Sequence, residues 1–192
     1  MQDDSTFRKC QLRQRLLSER AALTEREREH FSHSAISVLM DSAIWQAATH
    51  IGIYLPLKTE LNISPLWLKG SNTEKHFYAP RVLPSGEMTF HELRPNSDLE
   101  AGMGGIVQPT SDATEVALDS IDLFLVPLVG CDKAGNRLGF GKGCYDQTLN
   151  RGRGFKLGVG FDVQRQDSVP VDEHDIPMDG FLSERGLTFF SR

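Results

Sequence analysis

At 192 residues, with 39% hydrophobic and 24% charged side chains, the chain has the makeup of one globular domain over residues 1–192, not that of a disordered or fibrous protein. A net charge of −5 argues against a protein built to grip a nucleic-acid backbone, and the longest apolar stretch, 123–129, is far short of the roughly 20 residues a membrane helix needs. The charged N-terminus lacks a signal-peptide core, and Cys10, Cys131 and Cys144 form no close pair, so a cytoplasmic protein with reduced thiols is expected.

Residues 6–22 predict a first helix, in which Leu12 and Leu16 share one face while Lys9 and Arg13 share another, able to point two cations at one target. Thr24 and Glu27 form a capping-box pattern, and Phe31, Ala35, Val38 and Leu39 line one face of a second helix ending near Ser42. Residues 50–55 read as a buried strand closed by Pro56. A loop with Lys58 and Glu60 follows, then a short helix from Ser64 and Pro65 through Lys69. Residues 75–82 and 88–93 read as strands joined by a turn at Gly86.

The Gly-, Pro-, Ser- and Asp-rich segment 96–114 reads as a connecting loop. Residues 121–129 form a hydrophobic strand that Pro127 should end near Val126 or place at an edge. After a glycine-rich turn, 145–151 reads as a helix, and 156–161 and 187–190 as strands. Alternating strands and helices imply an α/β layer architecture with a largely parallel sheet, whose ligands sit beyond the strand C-termini.

The turn is the richest feature. In Arg137-Leu138-Gly139-Phe140-Gly141-Lys142-Gly143-Cys144-Tyr145-Asp146, glycines at alternate positions let backbone N–H groups approach an anion, and Arg137 and Lys142 supply full charges. The spacing matches neither the Walker A nor the dinucleotide fingerprint. Asp146 falls in the first turn of the following helix, where it can stabilise the N-terminus or hold Mg²⁺, with a second acid available in 172–175. His30 and His33 have no third ligand of metal-site type, and no nucleophile with a recognisable base motif is present.

Taken together, the strand 121–127, Asp132, Gly135, Arg137-Leu138-Gly139, Gly141, Gly143 and Tyr145-Asp146 make the chain resemble the 5-formyltetrahydrofolate cyclo-ligase (5,10-methenyltetrahydrofolate synthetase) family. Lys9 and Arg13, Tyr54-Leu55-Pro56 with Glu60, Pro80-Arg81 and Glu173-His174-Asp175 support the resemblance, which spans nearly the whole length. It implies a three-layer α/β/α sandwich and an ATP- and Mg²⁺-dependent cyclisation of 5-formyltetrahydrofolate to 5,10-methenyltetrahydrofolate, with ATP and the folate as partners; separately, a monomer is expected over an oligomer. By the same resemblance, Lys9 and Arg13 reach the ATP phosphates, and Arg137, Leu138, Gly139, Phe140, Gly141, Lys142, Gly143, Cys144 and Tyr145 wrap the nucleotide. Leu55 and Glu60, with Phe140, Gly141, Lys142, Gly143 and Cys144, border the folate. Lys142, Arg137 and Tyr145 form the catalytic set, and Asp146 and Asp175 hold Mg²⁺. The chain departs from the family pattern at Cys144, Gly130-Cys131 and Gln147. Two other readings stay open: a non-catalytic folate- or nucleotide-binding regulator, and a sugar-phosphate isomerase-like enzyme.

Overall fold

Leu123, Phe124, Leu125 and Val126 are all buried, which requires a strand covered on both faces. The computed structural model, which describes residues 2–68, 74–102 and 105–191, sets this strand at the centre of an eight-stranded sheet. In chain order the elements are helices α1 (Gln2–Ala22), α2 (Glu25–Met40) and α3 (Ala43–Ala47), strand β1 (His50–Gly52), helix α4 (Pro65–Leu68), strands β2 (His76–Val82), β3 (Met88–Leu93), β4 (Leu99–Ala101), β5 (Val107–Pro109), β6 (Glu115–Val116), β7 (Leu123–Pro127), β8 (Gly130–Asp132) and β9 (Arg137–Leu138), helix α5 (Cys144–Leu149), and strands β10 (Phe155–Val159), β11 (Arg165–Gln166), β12 (Gly180–Ser183) and β13 (Gly186–Phe189).

The main sheet runs β13-β12-β10-β7-β1-β2-β3-β6. Its centre, from β12 through β2, is parallel, and β13 and β3 with β6 add antiparallel margins. One face packs against α2, α3 and α4: Ala35, Leu39, Trp45, Leu66 and Trp67 share a core with Ile51, Leu123, Leu125, Leu157 and Leu182. The opposite face packs against α5, where Leu149 meets Phe90, Phe124 and Val126. The result is the expected α/β/α layering, with a thin second helical layer. Gly52 belongs to this packing, since a Cβ there would lie 2.9 Å from the Phe124 ring.

The smaller sheet β11-β8-β9 follows β7 and gives α1 its seat. Leu16, fully buried, packs with Val129, Leu138 and Val169, and Leu12 and Leu17 close over them. Gly130 leaves room for this contact, because a Cβ at 130 would lie 2.6 Å from Leu16 Cδ1. The buried Asp132 carboxylate accepts from the N–H groups of Ala134, Asn136 and Val169 at 2.9–3.0 Å, which fixes the β8–β9 turn. Its motif partner Gly135, at φ 84°, accepts from Met178 N at 2.8 Å.

Several expectations need correction. The second helix stops at Met40, and α3 starts afresh because the Ser42 hydroxyl caps Trp45 N. The ladder of β1 ends at Gly52 instead of 55, although Ile53 N still donates to Tyr78 O at 2.8 Å. Pro127 ends β7, but the strand is central, not an edge. Its missing N–H is tolerated because pairing with β1 has already stopped at Phe124, leaving only the β10 side. The segment 96–114 is not all loop, since β4 and β5 pair within it. The strand 180–183 was missed altogether. Lys69 lies outside the described residues.

Leu16→Ala would empty the seat of α1 without touching the main core. A loss of about 2–5 kcal/mol is expected in urea unfolding, the usual range for such a truncation.

Candidate active site

The turn between β9 and α5 is shaped by arginines on both sides. Gly141 and Gly143 have φ of 93° and 68°, left-handed values that favour glycine. Gly139 and Gly141 also admit guanidinium groups against the backbone: a Cβ would lie 2.7 Å from Arg137 Nη1 at position 139 and 3.2 Å from Arg13 Nη2 at position 141. Arg13 Nε donates to Gly139 O at 2.8 Å. Arg137 Nη2 donates to both oxygens of Asp146, at 3.0 and 2.9 Å, and its guanidinium lies 5.6 Å from the centre of the Tyr145 ring. Asp146 Oδ1 also accepts from Ile176 N at 3.2 Å, drawing the segment that follows Asp175 to the turn.

Helix α1 brings its cations to the same place. Lys9 Nζ donates to Asp172 Oδ2 at 2.8 Å and pairs with Asp175, whose carboxylate also accepts from Asp172 N at 2.7 Å. Burial pulls the Lys9 ammonium down, but the hydrogen bonds and charges of Asp172 and Asp175 outweigh it, so its pKa is raised and it stays charged. Asp172 lies in the acidic stretch 172–175 offered by the sequence, and its pairing with Lys9 is what the structure adds.

One cavity of about 250 Å³ is lined by Lys9, Arg13, Leu55, Glu60, every residue from Arg137 through Asp146, and Asp175. The residues singled out from the sequence therefore converge. The charged members gather around the turn and the 172–175 segment, whereas Leu55, Leu57, Pro80, Val82 and Met88 form an apolar wall. Within this wall Glu60 is 7% exposed, with Leu57 N donating to Oε2 at 2.9 Å. Burial raises its pKa, opposed by that N–H and by Arg20. Burial likewise pushes the Tyr145 phenol well up, aided by the charge of Glu60. Cys144 Sγ lies 3.9 Å from Lys142 O.

Residues 106–108 line the cavity too, and sequence reasoning overlooked them. Ile106 and Val107 are 44% and 46% exposed on the hairpin side, and an apolar pair in an otherwise polar loop was the available signal. Among the described residues no group of three or more His, Cys, Asp or Glu could hold a metal by itself. Asp146 and Asp175 both line the cavity, and each carboxylate is paired with a cation, Arg137 and Lys9 respectively.

A parallel-centred sheet with a glycine-rich turn and a lined cavity beyond it is the layout of an α/β enzyme. The family model described as the 5-formyltetrahydrofolate cyclo-ligase family matches residues 5–184, and the chain belongs to that family of enzymes. It is 31% identical over 165 residues to the 5-formyltetrahydrofolate cyclo-ligase of Escherichia coli strain K12, covering 83% of this chain and 91% of that protein. It is 31% identical over 193 residues to the Mus musculus 5-formyltetrahydrofolate cyclo-ligase, covering 92% and 91%. The solved structure of Aquifex aeolicus 5,10-methenyltetrahydrofolate synthetase superposes with a TM-score of 0.86 at 32% identity, over 96% of this chain and 93% of that one.

Gly141→Ala would force a left-handed alanine against Arg13. A stability loss of about 1–3 kcal/mol is expected, read from the urea midpoint.

Proposed function

We propose that this protein catalyses the ATP- and Mg²⁺-dependent cyclisation of 5-formyltetrahydrofolate to 5,10-methenyltetrahydrofolate, with release of ADP and phosphate. The observation that carries this reading is the mixed lining of one cavity: Lys9, Arg13, Arg137 and Lys142 with two carboxylates, and beside them an apolar set with a buried glutamate. A polyphosphate suits the first and a folded heterocycle the second. Membership of the cyclo-ligase family supports joining the two in one reaction. The match over 5–184 also favours a single catalytic domain, and we place it in the cytoplasm.

The chemistry explains why phosphate handling sits beside the folate. Closing the ring requires the formyl oxygen to leave, and that oxygen is a poor leaving group. In the proposed sequence it attacks the γ-phosphorus of ATP, and ADP departs. N10 then attacks the activated carbon, the C–N bond forms, N10 gives up its proton, and inorganic phosphate leaves with the former formyl oxygen.

Lys142 and Arg137 would stabilise charge on the transferring phosphoryl group, while Lys9 and Arg13 hold the nucleotide from α1. The Tyr145 phenol, kept protonated, would donate a hydrogen bond in the reacting region. Leu55 and Phe140 would flank the folate, and the Glu60 carboxylate would accept from its N–H groups. Asp146 and Asp175 would hold Mg²⁺, which would supply positive charge to offset that of the phosphates. Cys144, smaller than the aromatic residue the family pattern favours, leaves one side of the folate region less walled.

The test is direct. Purified protein with Mg-ATP should convert 5-formyltetrahydrofolate into a product with the ultraviolet absorbance of the methenyl form. Absence of any ATP-dependent change would remove the proposal, and tight binding by calorimetry without phosphate release would favour a binding protein instead. Lys142→Ala should lower kcat by about 10²–10³-fold, the usual cost of deleting one donor to developing charge. Asp146→Asn should also lower kcat, and should raise the Mg²⁺ concentration needed for half-maximal rate, with far-UV circular dichroism unchanged.

A further inference from the structure

Arg20 stands in the last turn of α1, behind the cavity rather than in it. It is 3% exposed, yet its Nε and Nη1 atoms have no hydrogen-bond partner; its side-chain hydrogen bond runs from Nη2 to Thr59 Oγ1 at 3.1 Å. A buried guanidinium with orphaned N–H groups is poor value for stability, since an apolar side chain of similar volume often serves as well or better. Its surroundings give it another use. Arg20 Nη1 lies 3.8 Å from Glu60 Oε1, and the guanidinium carbon lies 5.6 Å from the centre of the Phe140 ring. Glu60 and Phe140 come from different segments of the cavity wall, one from the apolar side and one from the glycine-rich turn.

We infer that Arg20 is a positioning residue for folate: from behind the wall it orients the Glu60 carboxylate and seats the Phe140 ring, so that both face the ligand together. The inference rests on the reading of Glu60 as a folate-side residue. The 3.8 Å gap is loose for a hydrogen bond, and a shift of about 1 Å in the carboxylate closes it. Ligand N–H groups drawing on one edge of Glu60 would leave the other edge to the idle Nη1. Leu57 N already fixes Oε2, so the carboxylate has little other freedom. The other titratable groups facing Glu60 are the phenols of Tyr54 and Tyr145, and the Tyr54 hydroxyl is committed to Leu61 O at 2.6 Å. Arg20 is therefore the one full positive charge in contact with Glu60 among the described residues.

The experiment compares wild type with Arg20→Met, Arg20→Lys, Glu60→Gln and the Arg20→Met/Glu60→Gln double variant, varying 5-formyltetrahydrofolate at saturating Mg-ATP and then the reverse. Arg20→Met should raise the folate KM about tenfold with the ATP KM and kcat within about twofold, the pattern of lost ground-state positioning. Arg20→Lys, which keeps the charge but not the planar group over Phe140, should raise the folate KM by less. The double variant should exceed Glu60→Gln by less than the full effect of Arg20→Met alone, because the share that acts through Glu60 is already gone and only the seat of Phe140 is left to lose. Equal loss in both KM values, or multiplied effects in the double variant, would overturn the inference. Should Arg20→Met fail to fold, Arg20→Lys decides by the same selectivity. An impaired Glu60→Gln beside wild-type Arg20 variants removes the role of Arg20 alone, whereas a wild-type folate KM in Glu60→Gln removes the assignment of Glu60 and the inference with it.

Discussion

The site depends on a guanidinium lying against backbone that carries no side chain. Arg137 reaches across the turn to Asp146, and Gly139 is what lets it pass. The pair is largely sheltered, with side-chain exposures of 5% and 20%, and removing one partner of such a pair costs about 3–5 kcal/mol through the uncompensated charge left behind. Asp146 meanwhile holds Ile176 N, so one carboxylate ties α5, β9 and the segment after Asp175 together. From the other side Arg13 bonds Gly139 O and rests beside Gly141. The turn is therefore braced by contacts of its own, and two of the cations that would meet a phosphate, Arg13 and Arg137, are the ones that shape it.

This arrangement places demands on the rest of the fold. The turn must stand beyond the middle of a parallel sheet, which the apolar run of β7 secures by burying side chains on both faces. Helix α1 must also hold a fixed distance from it. Leu16 seats the helix on Val129 and Leu138, while Lys9 fastens its start to Asp172 and Asp175. Packing and charge thus share one side of the helix, with Leu16 between Arg13 and Arg20, and Arg20 extends the charged role toward its end.

Features fixed by neighbours in sequence were legible before the structure. The Thr24–Glu27 capping box formed as its pattern required, and the cations at 9 and 13 fell on one helix face because their spacing is a helical turn. Features fixed by distant partners were not. Nothing local marks Asp172 as the partner of Lys9 across 163 residues, and the strand 180–183 exists because β10 and β13 accept it. The β4–β5 pairing was hidden by the glycines between its strands and by Pro109 within β5. The glycines at 139 and 141 were read as openings for an anion, and the structure adds that each is occupied by an arginine of the same chain. Arg20 had no sequence signal beyond its charge in a basic helix, since only its burial beside Glu60 distinguishes it.

The central chemical proposal is that the formyl oxygen leaves as part of phosphate, which would give a cation-rich turn and an apolar wall reason to share one cavity. The most direct measurement follows that oxygen. With 5-formyltetrahydrofolate carrying ¹⁸O in the formyl group, a complete turnover with Mg-ATP should deliver the label to inorganic phosphate, seen by mass spectrometry or as an isotope shift in the phosphorus spectrum. Label appearing in water, with unlabelled phosphate, would contradict the account.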